Sequence, residues 1–501
     1  MSRASFPMAA VPDTLDPASL GSLARRTHVV AATMLVATAT FIIAKTGRDA
    51  MYFANDGIFD LPRAYIGIAL LSFPVALGAL GLMRAIGPRR ARVVAPLVLA
   101  ALLVWFAQGA HSGGGGFMTM FFMVVTLAFG VLFSMIWLLA ADLLQGTTRE
   151  ELARAYWEIG ATSILGGMLG GALARVLAPR IEPNGLVLLA ASLLVVVAAG
   201  VVAIQSACPA GGLRFLPHWR HVRGGGHDAE TTRLSVDIGP AAIMQMSSPP
   251  TMRTTLSAAR EVLRDRYTTR MLVVGMLAAA VGVLIEFQFY LTIAAMGGSN
   301  RGQAGLFANA YLWLNGLALA LQFWALPRLQ RAVGAGGALL VLPSVLLGGG
   351  LTLLISASAM LRAALRVAEG GFKSSIHRTS WEQAYLPFDH GRRAVAKLMV
   401  DGLGAPAAEG LTAGALLLWT RQVSHAEPFA RSSPTLLALS VVVFTVSWIL
   451  ATARIRAEAG SGSGEGQSLV FSATTPPPDH CATTAALGEG LLQRDLRDST
   501  A

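Results

Sequence analysis

Several ionisable side chains lie inside runs that are otherwise strongly apolar. Lys45-Thr46-Gly47-Arg48-Asp49 closes a long aliphatic stretch, and Lys45 and Arg48, three apart, share one helix face. Arg154 and Glu158, four apart, follow Glu150 and Glu151. Lys373, His377, Arg378 and Glu382 fall in a third stretch, and Arg393, Lys397 and Asp401 recur at four-residue intervals in a fourth. Glu286 stands alone in Leu284-Ile285-Glu286-Phe287. A charge in hydrocarbon costs about 2.5–3.5 kcal/mol on insertion scales, so such groups face a wet cavity or one another. The chemistry open to them is electrostatic: cations that attract an anionic solute, and carboxylates that pair with those cations or carry protons. Two of the groups have a second reading. Arg154/Glu158 and Arg393/Lys397 lie close to helix ends, where topology determinants and loop-locking ion pairs also occur. Glu286 suits a buried ion pair better than a ligand contact.

Lysine is scarce. Of 39 basic residues only Lys45, Lys373 and Lys397 are lysines, and all three belong to these clusters. A lysine is a compact, strongly hydrated point charge suited to an anion that must bind and leave, whereas an arginine fork holds more rigidly.

The elements that must hold these groups follow from composition. The 501 residues are 54% hydrophobic and 13% charged, with a mean hydropathy of +0.58. That balance excludes disordered, collagenous and disulfide-stapled chains and leaves apolar surface that only lipid can cover. The expected class is an all-α integral membrane protein. About twenty mostly apolar residues make one span, which places helices at 29–53, 62–84, 91–110, 117–144, 154–178 and 185–206, then at 270–293, 303–326, 335–355, 357–385, 393–419 and 433–453. The fourth, tenth and eleventh are the most polar.

The domain plan is therefore a segment over 1–27, a six-helix bundle over 28–206, a basic linker over 207–269, a second six-helix bundle over 270–453, and a tail over 454–501. Gly224-Gly225-Gly226 and Pro249-Pro250 mark the linker, in which Leu256 to Arg266 could form an interfacial helix. The tail is Gly/Ser-rich and then carries Pro476-Pro477-Pro478.

Arginines collect in alternate loops: Arg25-Arg26, Arg84 with Arg89-Arg90, Arg149, Arg328 with Arg331, Arg392-Arg393, and Arg454 with Arg456. The intervening loops, such as Gly113–Gly116, are nearly bare. Both termini are then expected in the cytoplasm, with the chain in a bacterial inner membrane. The net charge of +11 is accounted for by this asymmetry and not by nucleic acid. Cys208 and Cys481 offer neither metal spacing nor a disulfide. No Walker-type, His-Glu-x-x-His or Gly-x-Ser-x-Gly motif is present, so neither an enzyme nor a resident cofactor is expected.

Six spans, a cytoplasmic linker and six more spans is the layout of major-facilitator-type carriers. A weak repeat agrees with it: Trp137 precedes Glu158 by 21 residues and Trp381 precedes Asp401 by 20, with Arg154 and Lys397 between them. Gly87-Pro88-Arg89-Arg90 resembles the basic turn of that superfamily without its usual acid. Gly166, Gly167, Gly170 and Gly171 let helices approach closely.

Beyond layout, the chain resembles the ATP/ADP translocase family of nucleotide transporters. The likeness is carried by Lys45-Thr46-Gly47-Arg48-Asp49 and by Trp137, Asp142, Glu151, Arg154, Tyr156 and Gly160. It continues through Trp313-Leu314-Asn315 and is clearest from Lys373-Ser374-Ser375-Ile376 through Glu382, Ala384-Tyr385-Leu386-Pro387, Arg393 and Lys397 to Asp401. Trp381 stands where nucleotide-exchanging members carry a second lysine, and His377 replaces an aromatic.

The resemblance implies nucleotide or related phosphorylated-anion exchange by alternating access. The implied substrate-binding set is Lys45, Arg48, Asp49, Arg154, Glu158, Glu286, Asn315, Lys373, Glu382, Arg393, Lys397 and Asp401, in a monomer whose partners are an anionic small-molecule solute and the lipid bilayer. A strongly positive empty chamber would resist occlusion until an anion fills it, which favours exchange over net flow. The alternatives are a proton-coupled carrier of another organic anion or drug-like solute, with Glu286 or Asp401 titrating, and a non-transporting scaffold or sensor.

Overall fold

Long apolar runs bounded by Gly, Pro and Arg fold as helices here, as their length and the absence of strand-like alternation require. The computed structural model describes residues 17–55, 58–109, 115–143, 149–206, 264–296, 299–356, 358–385, 396–423 and 427–461. The linker expected over 207–269 lies outside them up to residue 263, and the tail from 462 does so entirely. Among the described residues every regular element is helical.

The first six helices are α1 (Pro17–Asn55), α2 (Leu61–Ile86), α3 (Pro88–Gly109), α4 (Gly115–Leu143), α5 (Arg149–Leu177) and α6 (Pro183–Ser206). Pro88 and Pro183 open their helices, where a missing N–H and a preset φ cost nothing. In the turn before Pro88, Gly87 has φ +83°, a conformation open to glycine.

Of the second six, α7 (Arg266–Met296) is unbroken and α9 is Val341–Ile355. Helix α8 begins at Asn300 behind Ser299, whose hydroxyl accepts from the Gly302 N–H at 3.2 Å. It runs on through a π-helical turn at Leu321–Ala325 and is broken at Gly334, whose φ of +67° is non-helical. Helix α10 is Ala359–Phe372, a π turn at Lys373–His377, then Arg378–Ala384. Helix α11 contains a π turn at Leu398–Gly404 and continues over Ala405–Val423, and α12 is Glu427–Ser461. The interruptions all fall in the second half, and single π turns inside α-helices recur at functional positions. Among the described residues ten helices are long and apolar enough to cross a membrane. Helices α10 and α11 are the two that fall short, because they carry the charges the sequence singled out.

The helices pack as two groups of six. In the first, α1 lies against α4, α5 and α6, α3 against α6, and α2 against α4. In the second, α7 contacts α10, α11 and α12, α9 packs on α12, and α8 on α10. The groups meet where α5 lies on α8, α2 on α11 and α1 on α8. Phe106, Phe121, Phe129, Phe287, Phe307 and Trp448 are fully buried, whereas Val195, Val202, Leu351, Val443 and Leu450 face outward. That apolar exterior belongs in lipid.

The glycines of α5 divide between two neighbours. A Cβ on Gly166 or Gly170 would meet the backbone carbonyl of Leu35 at 2.2 Å or of Ala39 at 2.5 Å on α1. One on Gly167 or Gly171 would meet Asn315 or the backbone of Leu312 on α8. Helix α5 is thus pressed against its own bundle on one side and the opposite bundle on the other. Gly170→Val should cost about 1–3 kcal/mol, seen as a lowered unfolding temperature in detergent. Gly78→Ala, where no atom lies within 4 Å of the new methyl, should be neutral or slightly stabilising.

Candidate functional site

The charges on α1 reach α10 through one carboxylate. Glu286, twenty residues into α7, receives Lys45 Nζ at 3.3 Å from α1 and Arg366 Nη2 at 2.7 Å from α10. Tyr65 of α2 donates to its Oε2 at 2.9 Å, and Tyr290, one turn further along α7, donates to Oε1 at 3.2 Å. Four helices from both bundles therefore converge on a side chain that the sequence displayed in isolation.

A second carboxylate organises the neighbouring space. Asp49 is fully buried. It accepts Arg48 Nε at 2.8 Å, and its other oxygen accepts the hydroxyls of Tyr290 at 3.1 Å and Tyr311 at 2.5 Å. Arg48 also donates to Thr126 at 2.6 Å and lies 3.8 Å from the centre of the Phe122 ring, both on α4. Lys45 Nζ sits 4.8 Å from the centre of Tyr311, so the ring that serves Asp49 through its hydroxyl also faces a cation.

On α10 the charges form a stripe. Arg366 pairs with Glu369, three residues on, and Glu369 accepts Lys373 Nζ at 3.3 Å. Glu369 is buried, but 50% of the Lys373 side chain is exposed. Gly282 of α7 makes room for this pair: a Cβ there would come within 3.2 Å of Lys373 Nζ and 3.4 Å of the Glu369 carboxylate. Lys373 opens the π turn, adjoining a small void lined by Glu369, His377 and Trp448.

The chamber is not the strongly positive one expected. Lys45, Arg48, Arg366 and Lys373 face Asp49, Glu286, Glu369 and, from α11, Glu409, four cations against four carboxylates, and each cation is already engaged. Burial explains the matching: an unpaired charge removed from water costs several kcal/mol, and charges of one sign cannot be concentrated there without partners.

The remaining candidates lie elsewhere. Lys397 is 1% exposed and gives Glu382 a 2.6 Å ion pair. Beside it Asp401 Oδ1 accepts Trp381 Nε1 at 3.0 Å and the Tyr385 hydroxyl at 3.1 Å. This α10–α11 cluster belongs wholly to the second bundle, and Tyr267 of α7 anchors it by donating to the Ala384 carbonyl at 2.8 Å. Its counterpart in the repeat is a stack of Trp137 of α4 on Tyr156 of α5, 5.7 Å apart and 17° from parallel. The repeated tryptophans thus each clamp a pair of adjacent helices.

Arg154 and Glu158 do not join the network. Arg154 is exposed, and Glu158 pairs with His28 at 3.3 Å near the start of α1. Asn315 is buried against Gly167 and donates to the Tyr311 carbonyl at 2.8 Å, which makes it part of the α5–α8 contact that supports Tyr311. Arg393 lies outside the described residues.

Five residues central to the network were not among the candidates: Tyr65, Tyr290, Tyr311, Arg366 and Glu369. The signal for the last two was present, since Arg366, Glu369 and Lys373 at i, i+3 and i+7 lie on one helix face. Three of only seven tyrosines serve these carboxylates, a role that nothing in their local sequence marks.

The polar ties from Lys45, Asp49 and Tyr65 to the second bundle lie toward the C-terminal end of α1. There Phe53 packs on Tyr290 and Phe307, with ring centres 4.8 and 5.7 Å apart. Further out, Arg301 at the start of α8 pairs with Glu182 ahead of α6 at 2.5 Å.

No protein-family model matches the chain, and no curated protein matches it. Solved structures do. An auto-inhibited POT-family peptide transporter is 12% identical with a TM-score of 0.56, over 87% of this chain and 96% of that one. The nucleoside transporter NupG is 11% identical with a TM-score of 0.56, over 86% and 98%. The POT-family transporter PepTSo is 14% identical with a TM-score of 0.57, over 87% and 98%. The chain therefore has the all-helical, major-facilitator-like membrane fold of two six-helix halves that these structures share.

Proposed function

We propose that this protein is a secondary transporter that carries a small anionic solute across the membrane by alternating access. The observation that carries the reading is Glu286, which ties Lys45 of one bundle to Arg366 of the other inside an apolar fold. Two rocking bundles must break such a tie in each cycle, and an anion that takes the place of the carboxylate keeps the cations satisfied as they part. Lys373 is the first contact, since half its side chain is open to solvent while its neighbours are enclosed.

The finer reading is exchange of nucleotides or related phosphorylated anions. The resemblance to ATP/ADP translocases supports it, as does the placement of two of the three lysines in the central network. With the arginine-rich loops in the cytoplasm, both termini face inward across a bacterial inner membrane, and the tied end of the fold is the outer one. The monomer is then held closed to the outside, with no enzymatic step or cofactor. The alternative is a proton-coupled carrier, in which Asp401, the acceptor from Trp381 and Tyr385, would be the carboxyl that exchanges protons.

Uptake of labelled ATP, ADP and inorganic phosphate into proteoliposomes, with and without internal nucleotide, tests the reading. Uptake that requires internal nucleotide and ignores a pH gradient supports exchange, and uptake driven by the gradient supports the proton-coupled variant. Lys373→Ala and Arg48→Ala should each lower uptake roughly 10- to 100-fold at normal expression, while Arg154→Ala leaves it unchanged. Retained uptake in both of the first two variants would contradict the assignment.

Removing the tie should also be visible without a solute. Spin labels at the exposed positions Phe59 and Met296, flanking the tied end, should report a longer and broader separation in Glu286→Gln than in the parent. An unchanged distribution would show that Glu286 does not hold that end closed.

A further inference from the structure

The side of the first bundle away from the network carries a groove of about 760 Å³ between α1 and α6. Its walls are aliphatic, chiefly Ala32 and Val36 of α1 with Val196 and Ala199 of α6. Val196 and Ala199 are exposed. At one end the lining changes character to Arg25 and His28. The twelve residues from Arg25 to Val36 span about 16 Å of helix, close to half of the roughly 30 Å hydrocarbon core. The groove thus has the length of one leaflet, with Arg25 at the depth of the headgroups and an aliphatic bed below it.

More positive charge gathers at that end. Gln205, near the end of α6, donates to the backbone carbonyl of Arg89 at 3.1 Å, which brings the Arg89-Arg90 start of α3 alongside. The acid there, Glu158, is occupied by His28. Cations exceed carboxylates, and apolar surface opening toward lipid will be filled by lipid.

We infer that this groove is a binding site for an acidic glycerophospholipid, one acyl chain lying along Ala32, Val36, Val196 and Ala199 and the phosphate resting on Arg25, with Arg89 and Arg90 alongside. Helices α1 and α6 belong to one bundle, so rocking does not part them and the lipid stays through the transport cycle. The inference is independent of the solute, because no residue of the groove belongs to the ion network.

Native mass spectrometry of the full chain, released from bilayers of equal phosphatidylglycerol and phosphatidylcholine, tests it. The parent should retain one phosphatidylglycerol in preference to phosphatidylcholine. Arg25→Gln should reduce that preference about fivefold, the worth of one cation near a membrane surface. Ala199→Trp, which fills the groove from its lipid side, should abolish retention, and Ala203→Phe serves the same purpose should the first variant not fold. Parent protein that holds no lipid or holds both equally, or variants that hold phosphatidylglycerol undiminished, would overturn the site.

Discussion

One carboxylate in hydrocarbon cannot be indifferent to its surroundings. Glu286 lies between Lys45 at 3.3 Å and Arg366 at 2.7 Å, which belong to different bundles. Removing one partner from a buried ion pair typically costs about 3–5 kcal/mol, whereas exchanging the partner for another of the same sign need not. The closure of the bundles on this side is thereby made conditional. It holds while Glu286 serves both cations, and it can be released when a second anion takes over part of that duty. The tyrosines refine the arrangement: Tyr290 donates to Glu286 and Asp49 alike, so the two carboxylates cannot rearrange independently.

The two halves of the fold are unequal in a way that suits this. The first bundle presents Lys45, Arg48 and Asp49 on a helix without interruption. The second presents Lys373 at the start of a π turn and Asp401 within another. Single π turns of this kind recur inside α-helices at functional positions. The Lys397–Glu382 pair and the Asp401 hydrogen bonds then knit α10 to α11, so that the two interrupted helices move together.

The class of the fold could be read from composition and periodicity, because twelve apolar runs with arginines in alternate loops allow few other arrangements. Which charges matter could be read in part. Lys45, Arg48 and Lys373 were conspicuous because ionised groups are rare in apolar helices. Their partners were not, since Glu286 lies 241 residues from Lys45 and 80 from Arg366, and nothing local states that these positions meet. Assigning Lys397 and Asp401 to one solute site with Lys45 joined two clusters that the fold keeps apart, because spacing along α11 shows a shared face and not what that face meets. The near-neutral balance of the chamber was hidden for the same reason: a sequence shows cations inside helices long before it shows which acids face them.

In the proposed transport cycle the tied end opens and closes as the solute passes. The direct test is a chain with Cys208 and Cys481 replaced and a cysteine pair at Phe53 and Phe307, whose rings pack 5.7 Å apart across the bundle interface without belonging to the ion network. Linking the pair with a short bifunctional methanethiosulfonate should stop solute uptake in proteoliposomes, and reduction should restore it. Full uptake with the bridge intact would contradict the account.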